Sequence, residues 1–307
     1  MKIKLKLRRR EEEEAAAETP ELMAPPPSKR MKIVIKKSGL RMSASSFYIP
    51  KGHKLKPLGE DAHFISADNQ TIGVADGVGG WAHQGIDSGV FARALMAAAA
   101  EEAAVQSSSS SGGVVEPKRL LQEAFPKTAG IEGASTACIL SHSDGVLRCA
   151  NLGDSGFMLF RNGKLLHRSE PQQRRFNCPF QLGNHANCER PDCAADSQLS
   201  VAAGDLVVLA TDGLLDNMFD SDIEAIVGKA NSKGGMKKKN GYSAKVEEYL
   251  AWKLAEEAYH KSRDKYFASP FAISSAIAGK KHQGGKVDDI TVVVAKIATH
   301  YELHCRT

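Results

Sequence analysis

The chain has 307 residues, 42% hydrophobic and 25% charged, enough apolar content to bury one sizeable core, with a formal net charge of +5. The positive charge gathers at residues 2–10 and 229–239 instead of forming a stripe interleaved with aromatics, which speaks against a nucleic-acid partner, and no apolar run approaches the roughly 20 residues of a membrane span. Six cysteines, at 138, 149, 178, 188, 193 and 305, form no CxxC pair, a usage that suits a reducing compartment; Cys178, Cys188 and Cys193 with His185 match no zinc-knuckle spacing.

In chain order, residues 1–42 change character abruptly: a basic run ends at Arg10, four glutamates follow, then alanine, then Pro25, Pro26 and Pro27. Such a segment is expected to be a disordered tail. Its acid block is unlike an organelle presequence and no apolar centre marks a secretory signal, so cytoplasm or nucleus is expected, with residues 4–10 as a weak nuclear signal. A folded domain is expected over 43–300, followed by a short tail, 301–307. Within it the pattern predicts a strand at 71–75 and a helix over 86–105, capped by Asp87 or Ser88. A flexible linker at 107–113 leads to a helix over 116–124. Strands follow at 136–140, 146–151, 156–161 and 164–168, with Asp144-Gly145 and Asn162-Gly163 as tight turns between antiparallel neighbours. After a loop over 171–196 come a strand at 206–210, a helix over 220–227, and an exposed lysine- and glycine-rich insertion near 232–241. Helices over 244–260 and 270–278 and a strand at 290–297 complete the domain. This order predicts an α+β fold, two packed antiparallel β-sheets flanked by helices in an α-β-β-α sandwich.

Asp76, Asp212 and Asp288 each sit where a short apolar run meets a glycine or a second acid, and Glu60-Asp61 makes a fourth acidic site. A carboxylate at the end of a buried strand is held on rigid backbone and pointed into a cleft. One Asp-Gly is a routine turn, as at Asp144-Gly145; the set carries the argument. Carboxylates gathered without His or Cys call for hard cations, manganese or magnesium before zinc. Two such ions about 3.5–4 Å apart can neutralise a phosphate and acidify water, the chemistry of a metal-dependent hydrolase. Asp76 is the best bridging group, because Gly77 allows close approach of its own carbonyl and Gly79-Gly80 leaves the turn uncrowded. Asp212 and Asp288 complete the set, with Glu60 and Asp61 acting through water or from its edge.

The segments Gly59-Glu-Asp-Ala62, Asp76-Gly-Val-Gly-Gly-Trp81, Gly133-Ala-Ser-Thr136, Gly153-Asp-Ser-Gly156, Phe176-Asn-Cys-Pro-Phe-Gln-Leu182, Ala210-Thr-Asp-Gly213 and Asp288-Asp-Ile-Thr291 occur in that order. With them the chain resembles the metal-dependent serine/threonine protein phosphatases of the 2C family, in particular their plant and mitochondrial branch, a resemblance that keeps an organelle open as a location beside cytoplasm or nucleus. The resemblance implies a two-sheet sandwich with a two-ion manganese or magnesium centre. It gives Asp76 the bridging place, the Gly77 carbonyl one ion, Asp212 and Asp288 the other, Asp61 and Glu60 the outer environment, and Asp154 a further, weaker ion. Asp289, where many members have asparagine, ranks below Asp288. The implied reaction is attack of a metal-bridging water on phosphoserine or phosphothreonine in a phosphoprotein, without a phosphoenzyme, by a monomer.

Two positions depart from the family pattern. Val78 stands where the best-studied branch has a histidine proposed to protonate the leaving oxygen; His63 and His83 are nearby but read as surface or packing residues. Lys56 stands near the place of the phosphate-binding arginine and lacks its two-pronged contact. Arg174, Arg175 and Arg190 could line a flap over the cleft, and Trp81 reads as a packing anchor. The rival readings are a catalytically silent, phosphoprotein-binding relative, motivated by Val78 and Lys56, and a metal-dependent nuclease, which would need a basic aromatic groove the sequence does not show.

Overall fold

The computed structural model describes residues 32–52, 57–108, 113–232 and 245–306. By contacts the chain divides into two compact units, residues 37–302 and residues 1–36 with 303–307. Only the strand ends 32–36 and 303–306 of the second are described; the first carries all that follows.

Apolar alternation and turn chemistry produce the strands β1 (Lys32–Ile49), β2 (Asp61–Ile65) and β3 (Thr71–Asp76), then the helices α1 (Ser88–Ser108) and α2 (Pro117–Ala124). Next come β4 (Ala134–Ser135), β5 (Ala137–Ser143), β6 (Val146–Leu152), β7 (Gly156–Arg161) and β8 (Lys164–Arg168). Three short strands, β9 (Gln173–Arg175), β10 (Cys178–Pro179) and β11 (Leu182–Gly183), precede β12 (Ala195–Ser200) and β13 (Leu206–Ala210). The chain then forms α3 (Asp212–Leu215), α4 (Asp220–Ser232), α5 (Val246–Arg263), α6 (Pro270–Ile277) and β14 (Ile290–Arg306). One sheet runs β1-β14-β13-β7-β8 and the other β12-β6-β5-β3-β2. The turn pairs Asp144-Gly145 and Asn162-Gly163 both adopt left-handed φ (51° and 77°, 53° and 78°), the geometry that closes two-residue hairpins.

Three apolar layers explain why β13 is apolar at every position. Val207 and Leu209 face the second sheet and, beside Phe157, Leu159 and Val293 of their own sheet, pack with its Ile72, Val74 and Leu140. Leu206, Val208 and Ala210 face the opposite way and pack with Leu214, Ile223, Leu250 and Leu254 of α3, α4 and α5. On the outer side of the second sheet, Ile139, Ala150 and Leu152 pack under Phe91, Leu95, Met96, Leu120 and Leu121 of α1 and α2. Burying such a side chain contributes about 1.5–3 kcal/mol, so a strand covered on both faces holds its end rigidly. The expected sandwich is the observed one.

The differences lie mostly where the sequence lacks an apolar run. β1 starts at Lys32, inside the segment expected as tail, and β14 runs on to Arg306 through the expected tail at 301–307. β2, which the sequence marks only as an acidic motif, is an edge strand paired with β3. β12, with its polar sequence, pairs with β6 along its whole length as the other edge. The expected loop at 171–196 contains two small ribbons, β10 with β9 and β11 with β4. Residues 1–31 and 233–244, the latter including all but the first residue of the expected insertion at 232–241, lie outside the described residues.

Candidate metal centre

Asp76 closes β3 and Asp61 opens β2, and their register sets them directly opposite each other. Across the sandwich, Thr211 follows β13 and Thr291 lies at the start of β14, joined by Thr211 N–H to Thr291 O (3.2 Å) and Thr291 N–H to Thr211 Oγ1 (3.1 Å). Both threonine hydroxyls donate to Asp61 Oδ2, at 2.8 Å from Thr211 and 2.7 Å from Thr291. Asp61 therefore bolts the ends of the two sheets together, and its other oxygen, Oδ1, is buried with no hydrogen-bond partner. Burial, then the charge of Asp289, pushes its carboxyl well above the usual range against the pull of the two hydroxyls.

Asp76 is fixed by backbone: its N–H donates to Thr136 Oγ1 (3.0 Å), and its carbonyl accepts from Thr136 N–H (2.9 Å). Gly77 N–H donates to Glu60 O at 3.1 Å. A Cβ on Gly77 would stand 2.7 Å from that oxygen and 2.7 Å from the Ser88 carbonyl carbon, so only glycine lets β3, β2 and α1 meet here. Asp212 opens α3 directly after Thr211, and Gly213 lies too close to the Asp289 carbonyl for any side chain.

Asp76, Gly77, Asp154, Asp212 and Asp288 line one cleft of about 220 Å³, together with Val78, Gly79, Gly80, Thr136, Asn177, Lys51 and Lys286. Burial, then Asp212, Asp61 and Asp288, pushes Asp76 well above the ordinary range. Asp154 is raised to about 6 by burial and then Asp212; its Oδ2 accepts from Gln173 Nε2 at 2.8 Å, while its Oδ1 is buried and unpartnered, as is Asp212 Oδ1. Acids crowded until their protons are held harder mark a field that favours cations.

Two ammonium groups answer part of that field. Lys286 Nζ touches Asp212 Oδ2 and lies 2.8 Å from Asp216 Oδ2 and 3.1 Å from Asp288 Oδ2. Lys51 Nζ lies 2.9 Å from Glu60 Oε2, 3.4 Å from Asp288 Oδ1 and 3.5 Å from Asp289 Oδ2. Burial raises Asp288, but Lys286 and Lys51 outweigh it and leave its carboxyl below the usual value. Among the described residues, no three His, Cys, Asp or Glu side chains close on one point as a finished ligand group. The donor set nonetheless fits a hard cation: it is all oxygen, and three of its carboxylates (Asp61, Asp154 and Asp212) have a buried oxygen free.

The remaining expected residues fall elsewhere. Asp289 is 1% exposed and turned away from the cleft: Oδ1 accepts from Lys51 N–H (2.8 Å) and Oδ2 from Glu60 N–H (2.9 Å), which makes it a clasp between the end of β1 and the start of β2. Glu60 is buried beside Lys51. Lys56 lies outside the described residues. His63 and His83 do not line the cleft. Of the expected flap arginines, Arg174 pairs with Glu189, Arg190 donates to Gly183 O (3.2 Å), and Arg175 is exposed. Trp81 donates from Nε1 to Gln181 Oε1 (3.1 Å), tying the glycine turn to the 171–196 segment. Among the described residues Cys178, Cys188 and Cys193 are free thiols. The sequence reading missed Lys51, Lys286 and Asp216; only Asp216 carried a local signal, one helical turn after Asp212. Burial, opposed by Lys286 and reinforced by Asp212, raises it to about 7.

Residues 56–251 match the family model described as Protein phosphatase 2C. "Probable protein phosphatase 2C 55" of Arabidopsis thaliana is 39% identical over 264 residues, 86% of this chain and 53% of that protein. "Protein phosphatase PTC7 homolog fig" of Drosophila willistoni is 42% identical over 260 residues, 78% of each chain. The chain thus spans about half the length of the first-matched plant relatives (53% and 59%). Among solved structures, the photosystem II phosphatase PBCP superposes with a TM-score of 0.70 at 30% identity, over 83% of this chain and 98% of that one. The catalytic domain of the serine/threonine phosphatase PstP, solved with two manganese ions, has a TM-score of 0.55 at 17% identity over 84% and 99%, a likeness of fold.

Proposed function

The chain belongs to the protein phosphatase 2C family, and on that premise we propose that it hydrolyses phosphoserine and phosphothreonine in proteins with the help of manganese or magnesium. The observation that carries this reading is the cleft at the converging sheet ends, where Asp76, Asp154, Asp212 and Asp288 gather and where Asp154 and Asp212 each keep a buried oxygen without a hydrogen-bond partner.

Asp76, the Gly77 carbonyl, Asp212 and Asp288 would hold two ions, with Asp61 beneath them and Asp154 at a third, weaker place. Bound there, divalent ions acidify water and neutralise the phosphate oxygens. The chain supplies the rest. Thr136 keeps Asp76 in place through both backbone atoms, while its hydroxyl is shared with Ser155 Oγ at 2.7 Å. Among the described residues no cysteine lines the cleft, and that hydroxyl is already hydrogen-bonded, which supports solvent as the nucleophile and a reaction without a phosphoenzyme. Lys51 places a positive charge in the wall where an anionic phosphate enters, as a point charge without the planar fork of arginine. Gly79 and Gly80 keep the mouth low: a Cβ at either would meet its nearest atom at 3.6 or 3.9 Å, so a phosphopeptide can pass over them. Val78 has no ionisable proton, so the departing oxygen would take its proton from another acid of the cleft or from solvent. The proposed partners are phosphoproteins, met as a monomer in cytoplasm or nucleus.

The test is phosphate release from phosphoserine and phosphothreonine peptides with manganese, with chelator, and with Asp76→Asn. Release should need the metal and fall by about a hundredfold or more in the variant. Metal-dependent release that survives Asp76→Asn would remove Asp76 from the bridging place. A chain that binds manganese and phosphopeptide but frees no phosphate would select the silent-relative reading that Val78 motivates.

A further inference from the structure

Lys286 is held more elaborately than a surface lysine. Its N–H donates to Asn217 Oδ1 (2.9 Å) and its carbonyl accepts from Asn217 Nδ2 (2.8 Å). Asn217 is fully buried, and the same amide nitrogen donates to Gly213 O at 2.9 Å, so one side chain fixes both the turn that carries Asp212 and the backbone that carries Lys286. The side chain is 16% exposed, with its ammonium 5.1 Å from the centre of the Phe271 ring and among Asp212, Asp216 and Asp288. Two of these three acids, Asp212 and Asp288, are the ones the proposed centre needs. Asp212 divides its oxygens: Oδ2 is on the ammonium, and Oδ1 is buried with no partner.

We propose that Lys286 is a tethered counter-ion of the centre, a positioning residue whose ammonium competes with the divalent cation for Asp212 and Asp288 and thereby sets how tightly the cation is taken up. The inference rests on the reading that these carboxylates hold a hard cation. The clamped backbone fixes where the lysine stem starts, and unlike an exposed pair its ammonium lies in a largely closed space where charge interactions are strong. It keeps three carboxylates together without an ion, so the site need not collapse or spread when empty. A cation that binds Asp212 and Asp288 shares them with a positive charge already present, and its uptake is weaker than the acids alone would give. A purely structural ion pair would instead add the same stability with and without the cation.

Manganese alone, titrated calorimetrically into the full chain, tests this with wild type, Lys286→Met and Lys286→Arg, each also followed by thermal unfolding with and without manganese. Lys286→Met should bind manganese about tenfold more tightly or more, within the ~5–150-fold range usual for coupling between two bound groups. Its metal-free Tm should fall, and its manganese-induced rise in Tm should exceed that of wild type. Lys286→Arg keeps the charge and should stay near wild-type affinity. Should Lys286→Met not fold without metal, Lys286→Gln in the same titration gives the same comparison. Equal or weaker binding by the neutral variants, or an equal loss of Tm with and without manganese, overturns the proposal, and so does an absence of manganese uptake by every protein. Phosphate release by the wild type tests the phosphatase reading separately: a wild type that releases no phosphate but shows the affinity change refutes only that reading, and an active wild type without the change refutes only this one.

Discussion

Replacing Gly77 with alanine tests whether the close approach of three backbone segments builds the site. The added Cβ would lie 2.7 Å from Glu60 O, 2.7 Å from Ser88 C and 2.8 Å from Ser88 O, against the roughly 3.4–4 Å of ordinary contact. All three atoms are backbone, one entering β2 and two at the start of α1, so no side chain can swing away. Overpacking of this kind costs about 1–3 kcal/mol. At about 2 kcal/mol, and about 2–4 °C per kcal/mol for a domain of this size, Tm should fall by about 4–8 °C. The relief must come from shifting Gly77 outward by several tenths of an ångström, which moves Asp76 and the Gly77 carbonyl relative to Asp212. Misplacement approaching 1 Å can cost about a hundredfold in rate, so phosphopeptide turnover at saturating manganese should drop by about ten- to a hundredfold. Calorimetry and a phosphate-release assay read the two effects. Gly80→Ala is the control: its Cβ would meet its nearest atom at 3.9 Å, and its Tm should stay within about 1–2 °C of wild type. Gly77→Ala with the Tm and turnover of wild type would refute the argument from backbone crowding.

Other outcomes follow from the same geometry. Thr291→Val and Thr211→Val each remove a hydroxyl from Asp61 Oδ2 and should each destabilise the chain by about 1.5–3 kcal/mol in urea unfolding, with a double variant less destabilised than the sum; additive losses would show that the two bonds do not share one carboxylate. Asp289→Asn should lose about 2 kcal/mol of stability while manganese stoichiometry by calorimetry is unchanged, because this side chain clasps Lys51 and Glu60 N–H groups; lost ion uptake in a folded variant would make it a ligand after all. His142 is 4% exposed, its Nδ1 is 3.0 Å from Gln70 Oε1, its Nε2 is buried without a partner, and burial holds its pKa below the ordinary value. The unfolded chain takes up the proton first, so stability is full above about pH 6.5 and declines as pH falls below it. His142→Gln should flatten that decline in urea midpoints measured between about pH 7.5 and 5.5, and an unchanged slope would refute the assignment.

Local physics determines much of this protein before it folds. Continuous apolar runs at 206–210 and 157–160, too short for a helix and bounded by turn residues, read as strands covered on both faces, and the Asp-Gly and Asn-Gly pairs at 144 and 162 favour hairpins because both residues take left-handed φ there. Strand ends marked by Asp76, Asp212 and Asp288 are likewise visible as breaks in hydrophobicity, and the structure sets all three around one cleft. Edge strands are a different case: β12 buries none of its residues, β2 is a five-residue strand without a continuous apolar run, and both acquire their pairing from β6 and β3. The neighbouring acids Asp288 and Asp289 look alike in sequence, yet only packing sends one into the cleft and the other onto the Glu60 N–H. Lys286 and Asp212 are 74 residues apart, and Lys51 and Asp288 are 237 apart. An ammonium shows nothing in its own segment about which carboxylates will surround it, because Coulomb contacts follow distance in space and that distance exists only once both sheets have closed.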